Sequence, residues 1–257
     1  RIKDYLESEF KKIILELQKD LKRKAKKWAN YAMLSHTHGQ AASPTTMGKE
    51  LANFYSRIDF HFQLINKFKP SGKINGAVGN YNAHHLIDSK INWTVFSKRF
   101  VNSLGLDWTK YSTQIEPKDN LATMISYQEN LNNVLIDFSL DIWLYISKGY
   151  IKQLIKDKEV GSSTMPHKVN PIDFENAEGN LKLSNSLLIL IKEKIQISRM
   201  QRDLSDSTTL RNLGSALSYS YLAITSLIKG LSKIQVNKEV LSDCLLYTSP
   251  SPRDNKA

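Results

Sequence analysis

Apolar residues recur at three- and four-residue spacing in five long segments of this chain, and this spacing constrains the fold most. In the first segment such residues form a stripe on one face of an amphipathic helix, which we expect to run to about Met33. The five stripes consist of Leu6, Phe10, Ile13, Ile14, Leu17 and Leu21; Leu51, Tyr55, Ile58 and Ile65; Leu121, Ile125, Leu131, Leu135, Phe138 and Ile142; Leu181, Leu188 and Ile191; and Leu213, Leu217, Leu222 and Leu227.

Strand-like alternation is not evident between these helices, so the pattern predicts an all-α fold, a bundle of long helices. Ser43 followed by Pro44 predicts the start of the second helix. Residues 70–82 are rich in Gly and Asn and are predicted to be loop; their glycine spacing does not match a dinucleotide-binding fingerprint. We expect one helical domain over residues 1–244 and an unstructured Pro- and Ser-rich tail over 245–257.

The net charge of +11 is compatible with a nucleic acid, a membrane surface or an anionic small molecule as partner. The basic run KRKAKK at 22–27 lies within a helical pattern and is best explained as a solvated face. Cys244 is the single cysteine, which excludes an internal disulfide and fits a reducing compartment, so we expect a cytoplasmic protein. The chain begins without Met inside a helical pattern, and we expect it to be part of a longer protein.

Three polar stretches interrupt the helices, at 35–40, 161–171 and 201–211. His38 is a candidate general acid or base, although a lone histidine is more often a surface residue. Lys168 is a candidate for stabilising a negative charge that develops in a transition state. Glu175 either interacts favourably with the dipole of the next helix or orients a histidine. Ser207 and Arg211 lie four residues apart, so on a helix they share a face and form a candidate phosphate clamp.

The stretch GSSTMPHKVNPIDFE resembles the signature loop of the fumarase/aspartase superfamily, with Gly-Ser-Ser, Met-Pro, a Lys, an Asn and a Glu in that order. Other stretches resemble the bacterial type of the adenylosuccinate lyase family within that superfamily, from the first helix to about Asp243: THGQAASPTTMGKE, GKINGAVGNYNAH, TQIEPKDN and QRDLSDSTTLRNLG. The resemblance implies a central helical domain, a homotetramer with active sites shared between subunits, and neither a metal ion nor a cofactor.

By the same resemblance the chain would take part in a β-elimination that releases fumarate from adenylosuccinate and from the succinylated carboxamide ribotide of purine synthesis. Ser162 would be the base, His38 the acid, and Glu175 the partner of His38. Lys168 would stabilise the carbanion and hold a succinyl carboxylate. The remaining substrate contacts would be Thr37, Gln114, Ser163, Asn170 and Asn176, with Arg202, Ser207, Thr208 and Arg211 at the phosphate end.

By the resemblance we expect the chain to lack the family's N-terminal and C-terminal domains, and it carries His36 and Ala41 where Arg and Pro are expected. We therefore expect the chain alone to be incomplete for activity. Three alternatives stay open: a superfamily lyase acting on fumarate, aspartate or a cycloisomerase substrate; a non-catalytic helical scaffold; and a nucleic-acid-binding protein, which rests on charge alone.

Overall fold

The computed structural model describes residues 1–154 and 169–246, and long helices dominate this part of the chain. The helices are α1 Ile2–Tyr5, α2 Lys11–Lys27, α3 Met47–Asn66, α4 Asn82–Ile87, α5 Trp93–Ser103, α6 Asp119–Ser147, α7 Ile172–Ile195, α8 Ser205–Leu210, α9 Leu213–Leu231 and α10 Lys238–Leu246. A π-helical segment, Leu6–Phe10, joins α1 to α2. The predicted all-α class is confirmed.

Three two-stranded sheets also occur among the described residues, although the sequence shows no strand-like alternation. Strands β1 and β2 pair antiparallel, β3 and β4 pair parallel, and β5 and β6 pair antiparallel. Their bounds are β1 Ala32–Thr37, β2 Gln40–Thr46, β3 Ser71–Gly72, β4 Asp107–Trp108, β5 Ile151–Gln153 and β6 Ile234–Val236. All are short, so they add local structure without changing the fold class.

The predicted apolar stripes are largely confirmed by burial. Every member of the first stripe is buried, as are the three members of the fourth. Tyr55 of the second stripe and Leu121 of the third are only half-buried. Leu222 of the fifth stripe departs furthest from the prediction, since its side chain is 53% exposed. Its neighbours Ala223 and Ile224 are buried instead, because α9 turns those positions toward the core.

The first helix ends earlier than predicted, at Lys27, and the chain then forms a β-hairpin. His38 and Gly39 make its two-residue turn with φ of 53° and 73°. Positive φ at both positions is the requirement of the hairpin turn that matches strand twist. The second helix also starts later than predicted, at Met47 rather than near Ser43. Pro44 lies within β2, and the Thr46 hydroxyl caps α3 by accepting a hydrogen bond from the Lys49 amide at 3.2 Å.

Residues 70–82 are largely loop, as predicted, apart from β3 and the first residue of α4. Within the described ranges, no helix is long and apolar enough to cross a membrane.

The chain groups into two compact units by its internal contacts. The predicted helical domain over 1–244 stays a prediction. Among the described residues, unit 1 comprises 1–12, 61–133 and 180–221, and unit 2 comprises 13–60, 134–154, 169–179 and 222–246. Residues 247–257, which include most of the predicted tail, lie outside the described residues.

Unit 1 has an apolar core that contains a buried polar network. The rings of Phe10 and Phe62 lie 6.3 Å apart in this core. Four fully buried side chains from α6, α7 and α9 hydrogen-bond to one another: Gln128, Asn132, Ser184 and Ser220.

Unit 2 is organised around Phe138 of α6, which is fully buried. Its ring lies 5.1 Å from that of Phe54 on α3 and 6.5 Å from that of Phe174 on α7. Edge-to-face contacts of this kind add to the stabilisation from area burial. Phe174 lies in the first turn of α7, so this packing fixes the start of the helix that carries Glu175.

Candidate active site

His38 lies at the tip of the β1–β2 hairpin, where its side chain is exposed. The side chain makes no hydrogen bond with any other residue of the described ranges. Thr37, the preceding residue, is also exposed and pairs with Gln40 across the turn. An exposed imidazole on a tight turn is available to exchange protons with a ligand, as the acid role requires.

Glu175 is exposed in the first turn of α7, the position predicted from the sequence. Its Oε1 accepts a hydrogen bond from Trp143 Nε1 at 3.0 Å, while no hydrogen bond joins it to His38 among the described residues of this single copy. Asn176, next along α7, donates from Nδ2 to Ser226 Oγ at 3.1 Å. Asn170 lies just before α7 and is half-buried, and the preceding Val169 carbonyl accepts a hydrogen bond from Gln153.

The 201–211 stretch begins with an ion pair. Arg202 Nη1 lies 2.6 Å from Asp206 Oδ1, and the Asp206 side chain is buried. The positive charge of Arg202 is therefore already compensated by a carboxylate before any ligand binds. This partner was not predicted from the sequence, although the four-residue spacing of the two charges could have indicated it.

Ser207 and Arg211 share a helical face, as predicted. Ser207 lies in α8, and Arg211 follows the last residue of α8 with helical backbone angles. Arg211 is exposed and has no acidic partner among the described residues, and Thr208 is exposed beside it. An uncompensated guanidinium next to hydroxyls can bind a phosphate through charge-assisted hydrogen bonds.

Gln114 lies in the loop between β4 and α6 and has an exposed side chain. Its backbone amide donates to the Gln201 carbonyl at 3.3 Å, which joins this loop to the residue preceding Arg202. Two residues that sequence reasoning did not select, Lys73 and Asn75, contact the same loop.

A cavity of about 740 Å³ in unit 1 is lined both by the residues after Gln114 and by those flanking Arg211. Its volume is in the range of small-molecule sites. Its walls are mostly apolar and include Glu116, Lys118, Leu210 and Leu213.

The predicted site residues fall into two groups by unit. Thr37, His38, Asn170, Glu175 and Asn176 belong to unit 2, whereas Gln114, Arg202, Ser207, Thr208 and Arg211 belong to unit 1. Ser162, Ser163 and Lys168 lie outside the described residues, so their predicted roles stay predictions.

Comparison with known proteins identifies relatives of this chain. A sequence model of a family described as "Lyase" matches residues 2–184, and one described as "Adenylosuccinate lyase C-terminal" matches residues 198–248. The second match contains Arg202, Ser207, Thr208 and Arg211.

Curated relatives named adenylosuccinate lyase are about half identical to the chain. That of Legionella pneumophila (strain Corby) is 54% identical over 228 residues, covering 89% of this chain and 50% of the relative. That of Escherichia coli (strain K12) is 49% identical over 223 residues, covering 87% of this chain and 49% of the relative. The chain thus spans about half the length of the curated relatives it matches.

Among solved structures, the 3-carboxy-cis,cis-muconate lactonizing enzyme from Pseudomonas putida has the same fold. It aligns with a TM-score of 0.78 at 21% identity, over 96% of this chain and 54% of that enzyme. At this identity the likeness concerns the fold alone.

Proposed function

The chain belongs to the lyase family whose sequence model matches residues 2–184, and from this premise we propose that it forms part of an adenylosuccinate lyase. The reaction is a β-elimination. A base removes the proton from the carbon next to a succinyl carboxylate, the carbon–nitrogen bond breaks, and an acid protonates the departing nitrogen. The products are fumarate and AMP, or fumarate and the carboxamide ribotide for the second substrate of purine synthesis.

The observation that best supports this substrate class is the arrangement around α8. Arg211 is exposed and has no acidic partner among the described residues, while Ser207 lies on the same face. The charge of Arg202 is compensated by Asp206, so Arg211 supplies the net positive charge for a phosphate. Substrates without a phosphate, such as fumarate or aspartate, have no use for this pair of residues.

Residue roles follow the family motif. In this proposal Ser162 is the base, His38 the acid that Glu175 orients, and Lys168 the cation beside the carbanion. Thr37, Gln114, Ser163, Asn170 and Asn176 contact the succinyl and nucleoside parts, while Arg202, Ser207, Thr208 and Arg211 bind the phosphate. Arg202 keeps further guanidinium N–H groups for this purpose when one is engaged by Asp206.

We further propose a cytoplasmic homotetramer in which several subunits contribute to each active site. Large apolar side chains on the long helices support this assembly because they are about half exposed in a single copy: Leu140 and Leu144 on α6, and Leu183 and Leu190 on α7. Sedimentation of the full-length gene product at micromolar concentration tests it. A stable folded monomer there would contradict the assembly.

The activity itself is tested by incubating the full-length gene product with adenylosuccinate and measuring fumarate by proton NMR. We expect stoichiometric fumarate and AMP. Aspartate and fumarate are offered as alternative substrates, for deamination and for hydration. If either is turned over faster than adenylosuccinate, the result would favour another lyase of the superfamily. Absence of any fumarate-forming activity would favour a non-catalytic scaffold.

A further inference from the structure

We propose that Lys73 and Asn75 are positioning residues that hold the 111–116 segment, and with it Gln114, in place for substrate. The segment is called the Gln114 loop below. Its contribution to substrate binding rests on the proposed function, whereas its attachment to Lys73 and Asn75 is a property of unit 1 alone.

The side chain of Lys73 joins the glycine-rich loop to the Gln114 loop by hydrogen bonds. Its Nζ donates to the Gly76 carbonyl at 2.7 Å and to the Thr113 carbonyl at 3.1 Å. The ammonium forms no ion pair with an acidic residue in the described ranges, so its contacts are with backbone carbonyls. Burial lowers the pKa of Lys73, which is the expected effect of partial desolvation on a cation that has no anionic partner.

Asn75 attaches the same loop through its side chain. Ser112 Oγ lies 2.9 Å from Asn75 Nδ2 and 3.0 Å from Asn75 Oδ1, so the hydroxyl accepts from the amide and donates back to it. Asn75 is 1% exposed, so its side-chain amide is shielded from water. The Asn75 carbonyl in turn accepts from the Tyr81 amide at 2.8 Å, which closes the glycine-rich loop on itself.

Gly79 is the position of this loop where the contact with the Gln114 loop requires a glycine. A Cβ at Gly79 would lie 1.9 Å from the Ser112 carbonyl oxygen, and its φ is +86°. A side chain is therefore excluded both by the backbone conformation and by the close approach of the Gln114 loop. Gly79 therefore permits the close contact between the two loops.

The Gln114 loop is held on its other side by the 201–211 stretch, through the hydrogen bond from the Gln114 amide to the Gln201 carbonyl. The loop is thus fixed at Ser112, Thr113 and Gln114 in succession. These three consecutive attachments limit the positions that the exposed Gln114 side chain can reach.

The first test measures backbone amide hydrogen exchange at residues 113–116 in the full-length gene product. In Lys73→Met the ammonium is lost but the apolar stem remains, and we expect exchange of the Gln114 amide to rise at least about tenfold, since hydrogen bonds from a charged donor are strong. Lys73→Arg restores a cationic donor and should recover much of the protection. Lys90→Met is the matched control, because Lys90 is an exposed lysine of the same unit whose side chain has no contact that would protect this loop. Unchanged exchange in Lys73→Met would overturn the proposal.

The second test separates positioning from general destabilisation by ligand affinity. Fumarate and AMP are titrated separately. Lys73→Met should weaken the binding of fumarate by about tenfold or more and the binding of AMP by less, because Gln114 is assigned to the succinyl end. Equal weakening of the binding of both ligands, or unchanged fumarate affinity, would refute the role of Lys73 in substrate binding. If the unmodified protein binds neither ligand, the proposed function fails, and the exchange experiment still decides whether Lys73 holds the loop.

Discussion

Arg202 and Asp206 form an ion pair with Nη1 and Oδ1 2.6 Å apart, and the carboxylate side chain is 7% exposed. A buried carboxylate that loses its cation is left desolvated and uncompensated. Arg202 therefore supports the structure of the 201–211 stretch in addition to any role toward substrate.

We expect Arg202→Met to lower the free energy of unfolding by about 1–3 kcal/mol, below the cost for a fully buried pair because Arg202 itself is partly exposed. Urea denaturation of the full-length gene product measures this. Arg199→Met is the control, since Arg199 pairs with Asp203 at 3.5 Å while 81% exposed, and it should cost well under about 1 kcal/mol. Equal losses for the two variants would contradict the structural role of Arg202.

Arg211 should behave differently, because no acidic residue in the described ranges compensates it. Arg211→Ala should weaken the binding of AMP by about 1.5–3 kcal/mol and leave the binding of fumarate nearly unaffected, since only the nucleotide carries a phosphate. Calorimetric titration of both ligands measures the difference, with the exposed Arg99→Ala as control. If AMP and fumarate lose the same affinity, Arg211 is not the phosphate ligand.

Asp141 of α6 predicts a pH dependence of stability. Its pKa is raised from 3.8 to about 6, mainly by burial and further by the negative charges of Asp137 and Glu50. The positive charge of Arg57 lowers the pKa in part. The folded state therefore holds this proton more tightly than the unfolded state, and its contribution to stability falls as the pH rises from about 4 to 6.

Asp141→Asn should remove that fall and raise the free energy of unfolding at pH 7 by about 1 kcal/mol, a value reduced for the partial exposure of the side chain. Unfolding curves at pH 4, 5, 6 and 7 provide the measurement. Asp107→Asn, at an exposed aspartate, should leave the pH dependence unchanged. If the free energy of unfolding falls with pH as steeply in Asp141→Asn as in the unmodified protein, the fall belongs to another group.

Asn132 is the centre of the buried network in unit 1. It donates to Ser184 Oγ at 3.0 Å and to Asn185 Oδ1 at 2.8 Å, and it accepts from Gln128 at 3.0 Å and Ser220 at 2.8 Å. Asn132→Ala leaves several buried groups without partners and should cost about 2–3 kcal/mol of unfolding free energy. Ser139→Ala is a milder buried control, because its hydroxyl donates only to the Leu135 carbonyl of its own helix. A cost for Asn132→Ala no larger than that control would show that the network contributes little.

The helices were predictable because burial on one face imposes a spacing that can be read locally, as the stripe from Leu6 to Leu21 illustrates. The β1–β2 hairpin was missed for a physical reason. Only Met33 and Leu34 of β1 are buried, and the turn uses His38 with Gly39 in place of the usual Asn-Gly signal, so neither alternation nor turn chemistry was evident.

The site was predictable where one short segment carries the chemistry, as at Ser207 and Arg211, whose four-residue spacing fixes a shared face. The attachment of the Gln114 loop could not be predicted from the sequence, since Lys73 and Thr113 are 40 positions apart and Asn75 and Ser112 are 37 positions apart. Contacts at that separation depend on tertiary packing, which a periodic pattern does not encode.

The assigned catalysts, Ser162 and His38, give the most direct test of mechanism. Replacing either by Ala in the full-length gene product should lower kcat by about 100- to 10,000-fold and leave substrate binding largely intact, since both act mainly in the transition state. Ser163→Ala is the control, because the neighbouring hydroxyl is assigned to binding and should raise KM more than it lowers kcat. Exchange of the succinyl proton with solvent deuterium, followed by NMR, separates the two roles. His38→Ala retains the base and should still exchange, whereas Ser162→Ala should not, because the proton can no longer be removed. Exchange at the unmodified rate in Ser162→Ala would assign the base to another residue and leave Ser162 a substrate contact.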